Sequence, residues 1–130
     1  MSLSHSGPML LIGWSSQPIG VDLERVDRPL AAAAIARRYF PPEEWAELQG
    51  LPAGALCQAV LRSWVLKEAA IKWRQRTLAE ELTHWHYNHR SGVLRHVCQA
   101  VVAPVCLGEA QGWLWGVAGA SAVALDEGSG

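Results

Sequence analysis

The chain has 130 residues, half of them hydrophobic, and a net charge of -1. At that length one domain buries roughly two thirds of the surface its unfolded chain exposes, so stability requires neither disulfides nor a structural metal. The near-neutral charge excludes the basic surface of a nucleic-acid binder, and the apolar content excludes a disordered chain.

The opening stretch, MSLSHSGPMLLIGW, is apolar without a basic lead, which argues against a secretory signal. Residues 9–15 (MLLIGWS) and 19–26 (IGVDLERV) predict two short strands joined through SQP as a hairpin. Residues 29–40, PLAAAAIARRYF, start with proline and continue in good helix formers, which predicts a helix. A short helix follows over residues 41–50, PPEEWAELQG, with prolines at its start, acids in its first turn and glycine after its end. From about Ala55 to Arg74 apolar residues recur at helical spacing, through Leu56, Ala59, Val60, Trp64 and Ile71, and predict the longest helix. THWHYNH, a turn at NHRSG, VLRHVCQAVV and WLWGVAGAS then supply returning strands. Residues 113–125 fall short of the ~20 residues a membrane helix needs and predict a buried strand, so no membrane association is expected. Cys57, Cys98 and Cys106 have no metal-ligand spacing and read as reduced thiols, packed as small core residues of a cytoplasmic protein. Strands, then helices, then strands predict a single α+β domain over residues 1–130.

On this scaffold Gly20, Asp22 and Glu24 share one face of a strand, two carboxylates beside a glycine that lets a ligand approach. On the long helix, Trp64, Glu68 and Lys72 form one stripe. Three acids gathered around a hard cation, with a phosphate sharing the coordination, make a Mg2+ site. Spacing alone leaves simpler readings open. Glu68 and Lys72 are equally an i,i+4 surface pair worth ~0.2–0.5 kcal/mol, and Asp22 and Glu24 equally the solvated face of an edge strand. His84, His86 and His89 read as surface histidines, since no acid or cysteine stands at matching spacing. Arg37, Arg38 and Arg62 read as solvated helix faces, with an acidic partner surface as the alternative.

SHSG (residues 4–7), IGVDLE (19–24) and WVLKEAAIK (64–72), in this order and at this spacing, resemble the signature blocks of the 4'-phosphopantetheinyl transferase superfamily, in particular the C-terminal half of its surfactin-synthetase-activating type. The resemblance implies that family's fold, an antiparallel sheet packed against a long helix. It implies Mg2+-dependent transfer of the phosphopantetheine arm of coenzyme A to a serine of an apo acyl or peptidyl carrier protein, releasing 3',5'-adenosine bisphosphate. By that resemblance Asp22, Glu24 and Glu68 are the metal ligands, and Lys72 contacts the coenzyme A diphosphate. His5 contacts a phosphate, Lys67 shapes the phosphate pocket, and Glu44 assists deprotonation of the carrier serine.

Three departures qualify this, the first being Val65, where that family usually has Ser, Thr or Cys after the tryptophan of the WVLKE block. Where relatives carry a glycine-containing turn after the final lysine, this chain reads KWRQRTL, with Arg74 and Arg76 expected to be exposed. The chain also resembles only the second half of a pseudodimer. Self-association as a dimer or trimer, as in the shorter holo-acyl-carrier-protein synthase type, is expected to restore the site. The alternatives are a non-catalytic half-domain that binds a carrier protein or partner subunit, and a Mg2+-dependent hydrolase of another diphosphate.

Overall fold

The computed structural model describes residues 2–6, 9–13 and 18–119, and in the first two of these stretches the side chain of Ser4 alone. β1 (Ser2–Ser6) pairs antiparallel with β2 (Met9–Gly13). β3 (Ile19–Arg25) leads into three helices, α1 (Ala32–Tyr39), α2 (Pro42–Leu48) and α3 (Ala53–Trp73). A short α4 (Leu78–Glu81) and a 3-10 turn at Leu82–His84 precede β4 (Trp85–Asn88) and β5 (Val93–His96). The chain then runs through β6 (Val102–Ala103), β7 (Val105–Ala110) and β8 (Trp113–Gly119). The sheets are β1-β2, β3-β8-β7 and β4-β5-β6, and every pairing is antiparallel. The α+β class and the long helix agree with the sequence.

Local chemistry explains most element ends. Pro42 occupies the first turn of α2, where a missing N–H costs nothing, and Glu43 and Glu44 follow at its positive end. α3 stops in a Schellman closure: Gln75 N–H donates to the Lys72 carbonyl and Arg76 N–H to the Ile71 carbonyl. Gln75 takes φ 56° to make it, the left-handed conformation that usually calls for glycine. A capping box joins Thr77 to Glu80 and starts α4. The T-x-x-E spacing of TLAE is the sequence signature of such a start. Gln111 (φ 53°) and Gly112 (φ 81°) turn β7 into β8.

Several expectations change. Residues 9–15 and 19–26 do not form a hairpin: β2 pairs with β1 and β3 with β8, while the connecting residues 14–17 lie outside the described ones. The expected strand over VLRHVCQAVV breaks after His96, and β7 was not anticipated. The cysteines are unpaired but not core residues; Cys98 is exposed and the others are partly buried.

α3 sits in the middle of the molecule. One side packs Leu66, Ala69, Ala70 and Ile71 with Leu82, Trp85 and Leu94. Another lies on the β3-β8-β7 sheet, where two glycines admit it. A Cβ on Gly20 would strike the Ala69 carbonyl oxygen and the Trp73 amide nitrogen, and one on Gly116 would meet Val65 Cγ1 at 2.8 Å. Gly20 therefore makes room for a helix, not for the ligand expected beside Asp22. Its consequence is the same in kind, because it brings the Asp22 face of β3 against the Glu68 stripe of α3.

Candidate active site

Asp22 lies in the middle of β3, 3% exposed, opposite Gly116 of β8. Its Oδ1 accepts from Ser4 Oγ at 3.1 Å and faces Lys72 Nζ at 3.5 Å. Lys72 Nζ also donates to the Val21 carbonyl at 3.0 Å. Asp22 Oδ2 is buried and takes no hydrogen bond from an N–H or hydroxyl group; the neighbour of the Asp22 carboxyl on α3 is the Glu68 carboxyl, close enough to share a proton with it. Burial, and then the adjacent Glu68 carboxylate, push the Asp22 carboxyl up to about 8, with Lys72 acting against them. Two carboxylates of the expected set thus meet inside a sheet-helix seam with a lysine beside them. Glu24, two residues on along the same face, is held by Arg28 at 2.8 Å. Burial raises its carboxyl above the usual range, against the Arg28 guanidinium.

The donor set fits a hard divalent cation. A buried carboxylate beside a second carboxylate is a costly arrangement for protein alone, and oxygen ligands of this kind are what Mg2+ takes. Asp22 and Glu68 would hold the ion, with Glu24, whose Oε1 is taken by Arg28, as the third acid near them. His5 lies on β1, but its side chain is outside the described ones.

Glu44 and Lys67 stand elsewhere. Lys67 precedes Glu68 by one residue and so leaves α3 about 100° away from it. Its Nζ bonds Glu44 Oε1 at 2.7 Å and lies 3.3 Å from the Phe40 ring centroid, and both members of the pair are fully buried. Ser63 Oγ donates to Glu44 Oε2 at 2.5 Å, Tyr87 N–H to Oε1 at 2.9 Å, and His89 Nε2 lies 3.1 Å from Oε2. Burial alone would raise the Glu44 carboxyl, but hydrogen bonds from His89 and Lys67 together with the Lys67 charge carry it below the usual carboxylate value. Burial pulls the Lys67 ammonium down to about 8, partly restored by Glu44. The resemblance gives Glu44 a part in deprotonating the carrier serine and Lys67 a part in shaping the phosphate pocket; in this structure the two side chains are fully buried and turned toward each other. The signal that separates them from Glu68 is helical phase, readable from the KE dipeptide once α3 is placed.

The histidines are not the surface set expected. His86 is buried, with Nε2 3.5 Å from Glu47 Oε1 and Nδ1 3.9 Å from Glu43 Oε2. His84 closes the 3-10 turn ahead of β4. With Glu81 and buried His96 it forms a cluster whose ligand-type atoms lie within 4.8 Å of one another. The ring of His96 is committed, however. Nδ1 accepts from Cys98 and Gln99 N–H groups at 3.1 and 3.2 Å, so Nε2 carries the proton given to Glu81 at 3.0 Å. A metal on Nε2 would set an Nδ1 proton against two N–H donors, and the cluster reads as a clasp between α4 and the β4-β5 hairpin. Arg37, Arg38 and Arg62 are exposed as expected, Arg37 over Trp45 and Arg38 over Tyr39. Arg76 is exposed too, but Arg74 is partly buried.

A family model described as the 4'-phosphopantetheinyl transferase superfamily matches residues 18–115, which run from β3 into the start of β8. The chain belongs to that superfamily. A 4'-phosphopantetheinyl transferase of Bacillus subtilis is 34% identical over 71 residues, covering 55% of this chain and 31% of that protein. The 4'-phosphopantetheinyl transferase HetI of Nostoc sp. is 33% identical over 72 residues, 55% of this chain and 30% of its own. The chain thus matches less than a third of the length of these curated relatives. The crystal structure of a holo-ACP-synthase from Plasmodium yoelii superposes with a TM-score of 0.55 at 17% identity, covering 78% of this chain and 91% of that one. That likeness bears on the fold.

Proposed function

We propose that the protein transfers the 4'-phosphopantetheine arm of coenzyme A to the serine of an apo acyl or peptidyl carrier protein, with Mg2+ held by Asp22 and Glu68 and Glu24 as a third acid. The observation that supports it most is the pair of adjacent carboxyls, buried Asp22 and Glu68, with Lys72 reaching Asp22 Oδ1 at 3.5 Å. When bound, Mg2+ neutralises charge that accumulates on the diphosphate oxygens during displacement. Lys72, whose side chain is 36% exposed, is placed to bond the same diphosphate and hold it in line with the incoming serine. The serine hydroxyl gives up its proton to solvent as its oxygen forms a bond to the phosphorus carrying pantetheine, the bond to the bridging oxygen breaks, and 3',5'-adenosine bisphosphate leaves with the electron pair. His5 adds a phosphate contact. Glu44 and Lys67 act through the packing of α2 on α3. A cytoplasmic location accords with coenzyme A as donor. Among the described residues no helix is long and apolar enough to cross a membrane.

Incubation with coenzyme A, Mg2+ and a panel of apo carriers, read by intact mass, is expected to add one phosphopantetheine to a carrier. The gain disappears with EDTA and in Asp22→Asn, Glu68→Gln and Lys72→Ala. No gain on any carrier, with coenzyme A binding undetectable, overturns the reading. It then favours the non-catalytic half-domain, which the partial coverage of relatives supports.

A further inference from the structure

We propose that Ser4 is a positioning residue for the cation site, its hydroxyl selecting which oxygen of Asp22 faces the ion. This rests on Asp22 and Glu68 as ligands. Ser4 is 6% exposed and lies on β1, outside the sheet that carries Asp22. Leu23 N–H donates to Ser4 Oγ at 2.9 Å, and Ser4 Oγ lies 3.1 Å from Asp22 Oδ1. A hydroxyl has one proton to give. With Leu23 filling an acceptor position, that proton belongs to Asp22.

Lys72 repeats the pattern from α3. Its Nζ bonds the Val21 carbonyl at 3.0 Å and faces the same Oδ1 at 3.5 Å. Each partner therefore takes a backbone atom of a residue flanking Asp22 and then the same carboxylate oxygen. Two donors on Oδ1 fix the rotation of the carboxylate and spend that oxygen on hydrogen bonds. Oδ2 remains, buried and taking no N–H or hydroxyl donor, on a carboxyl that has Glu68 as its neighbour. The cation-facing atom of β3 is chosen by a strand that does not pair with it.

Outer partners of this kind orient a ligand carboxylate, and their loss typically weakens metal binding about 10–100-fold. The test is Mn2+ binding to the full chain by electron paramagnetic resonance, Mn2+ standing in for Mg2+ at oxygen ligands. Ser4→Ala is expected to raise the Mn2+ dissociation constant by about 10–100-fold, and Ser4→Thr, which keeps the hydroxyl, to restore most of it. In the transfer assay, Ser4→Ala raises the Mg2+ concentration for half-maximal rate while the rate at saturating Mg2+ recovers. Ser4→Cys keeps the shape with a weak donor, so it carries the test if loss of the Leu23 partner unfolds the alanine variant. Affinity equal to wild type in folded Ser4→Ala or Ser4→Cys overturns the proposal. No Mn2+ binding by the wild type, or binding unchanged in Asp22→Asn, defeats the ligand assignment itself.

Discussion

Lys67 and Glu68 are neighbours in sequence with opposite fates, one closed in a buried pair and the other at a carboxylate cluster. Removing Glu44 leaves an uncompensated ammonium inside the protein, which costs about 3–5 kcal/mol. Glu44→Gln is therefore expected to lower the melting temperature strongly, and Glu44→Gln with Lys67→Met to recover much of the loss. Lost transfer activity with an unchanged melting curve would return Glu44 to the chemistry. The sign with pH follows from its lowered carboxyl pKa. Such a group adds stability above its unfolded value of 4.5, and the contribution disappears as pH falls through the folded value. Melting followed below pH 4.5 should show wild type losing stability more steeply than Glu44→Gln. The acids and lysines of the site were legible as a set in IGVDLE and WVLKEAAIK. Their division into two sites was not, because it depends on the rotation of α3 and on α2 closing over Lys67. Ser4 was legible only as part of SHSG, since its bonds cross between strands 18 residues apart.

Among the elements, α3 and its seam with β3 control the site. A methyl group on Gly20 has backbone on both sides of it, at Ala69 and Trp73, so neither neighbour can yield by changing rotamer. Gly20→Ala is expected to destabilise by about 1–3 kcal/mol or more and to weaken Mn2+ binding, since the helix must move away from Asp22. Unchanged affinity in that variant would separate the seam from the site. The far end of α3 offers the opposite change. Gln75 holds a left-handed conformation that costs a non-glycine residue about 1–2 kcal/mol, and nothing follows from its side chain in the Schellman closure. Gln75→Gly should raise the melting temperature by several degrees; a fall would mean that the closure is not the strained point. Helices 1 to 3 were legible because periodicity and proline punctuation are local. The strand partners were not. β3 crosses to β8 over nearly the whole chain, and no local pattern told that pairing from the nearer one with residues 9–15.

At the scale of the molecule, the acids and Lys72 come from one chain, but the space beside them is shallow for a substrate as large as coenzyme A. A cavity of about 490 Å3 borders the cluster through Glu24 and is lined also by Arg25, Asp27, Arg28 and Pro29. The curated relatives are about three times as long as the stretch they share with this chain, whereas the holo-ACP-synthase structure is matched over 91% of its length. We propose that a second copy supplies the missing wall, closed symmetric assembly being the usual way a small chain does so. Sedimentation across a dilution series is expected to show a dimer or trimer dissociating. Transfer activity per chain should fall in parallel with the assembled fraction, because a monomer keeps the metal ligands and loses the grip on coenzyme A. Activity per chain that stays constant well below the dissociation concentration would place the whole site in one chain. A stable monomer without activity, rescued by a separate protein, would make this chain the half-domain of a two-part enzyme.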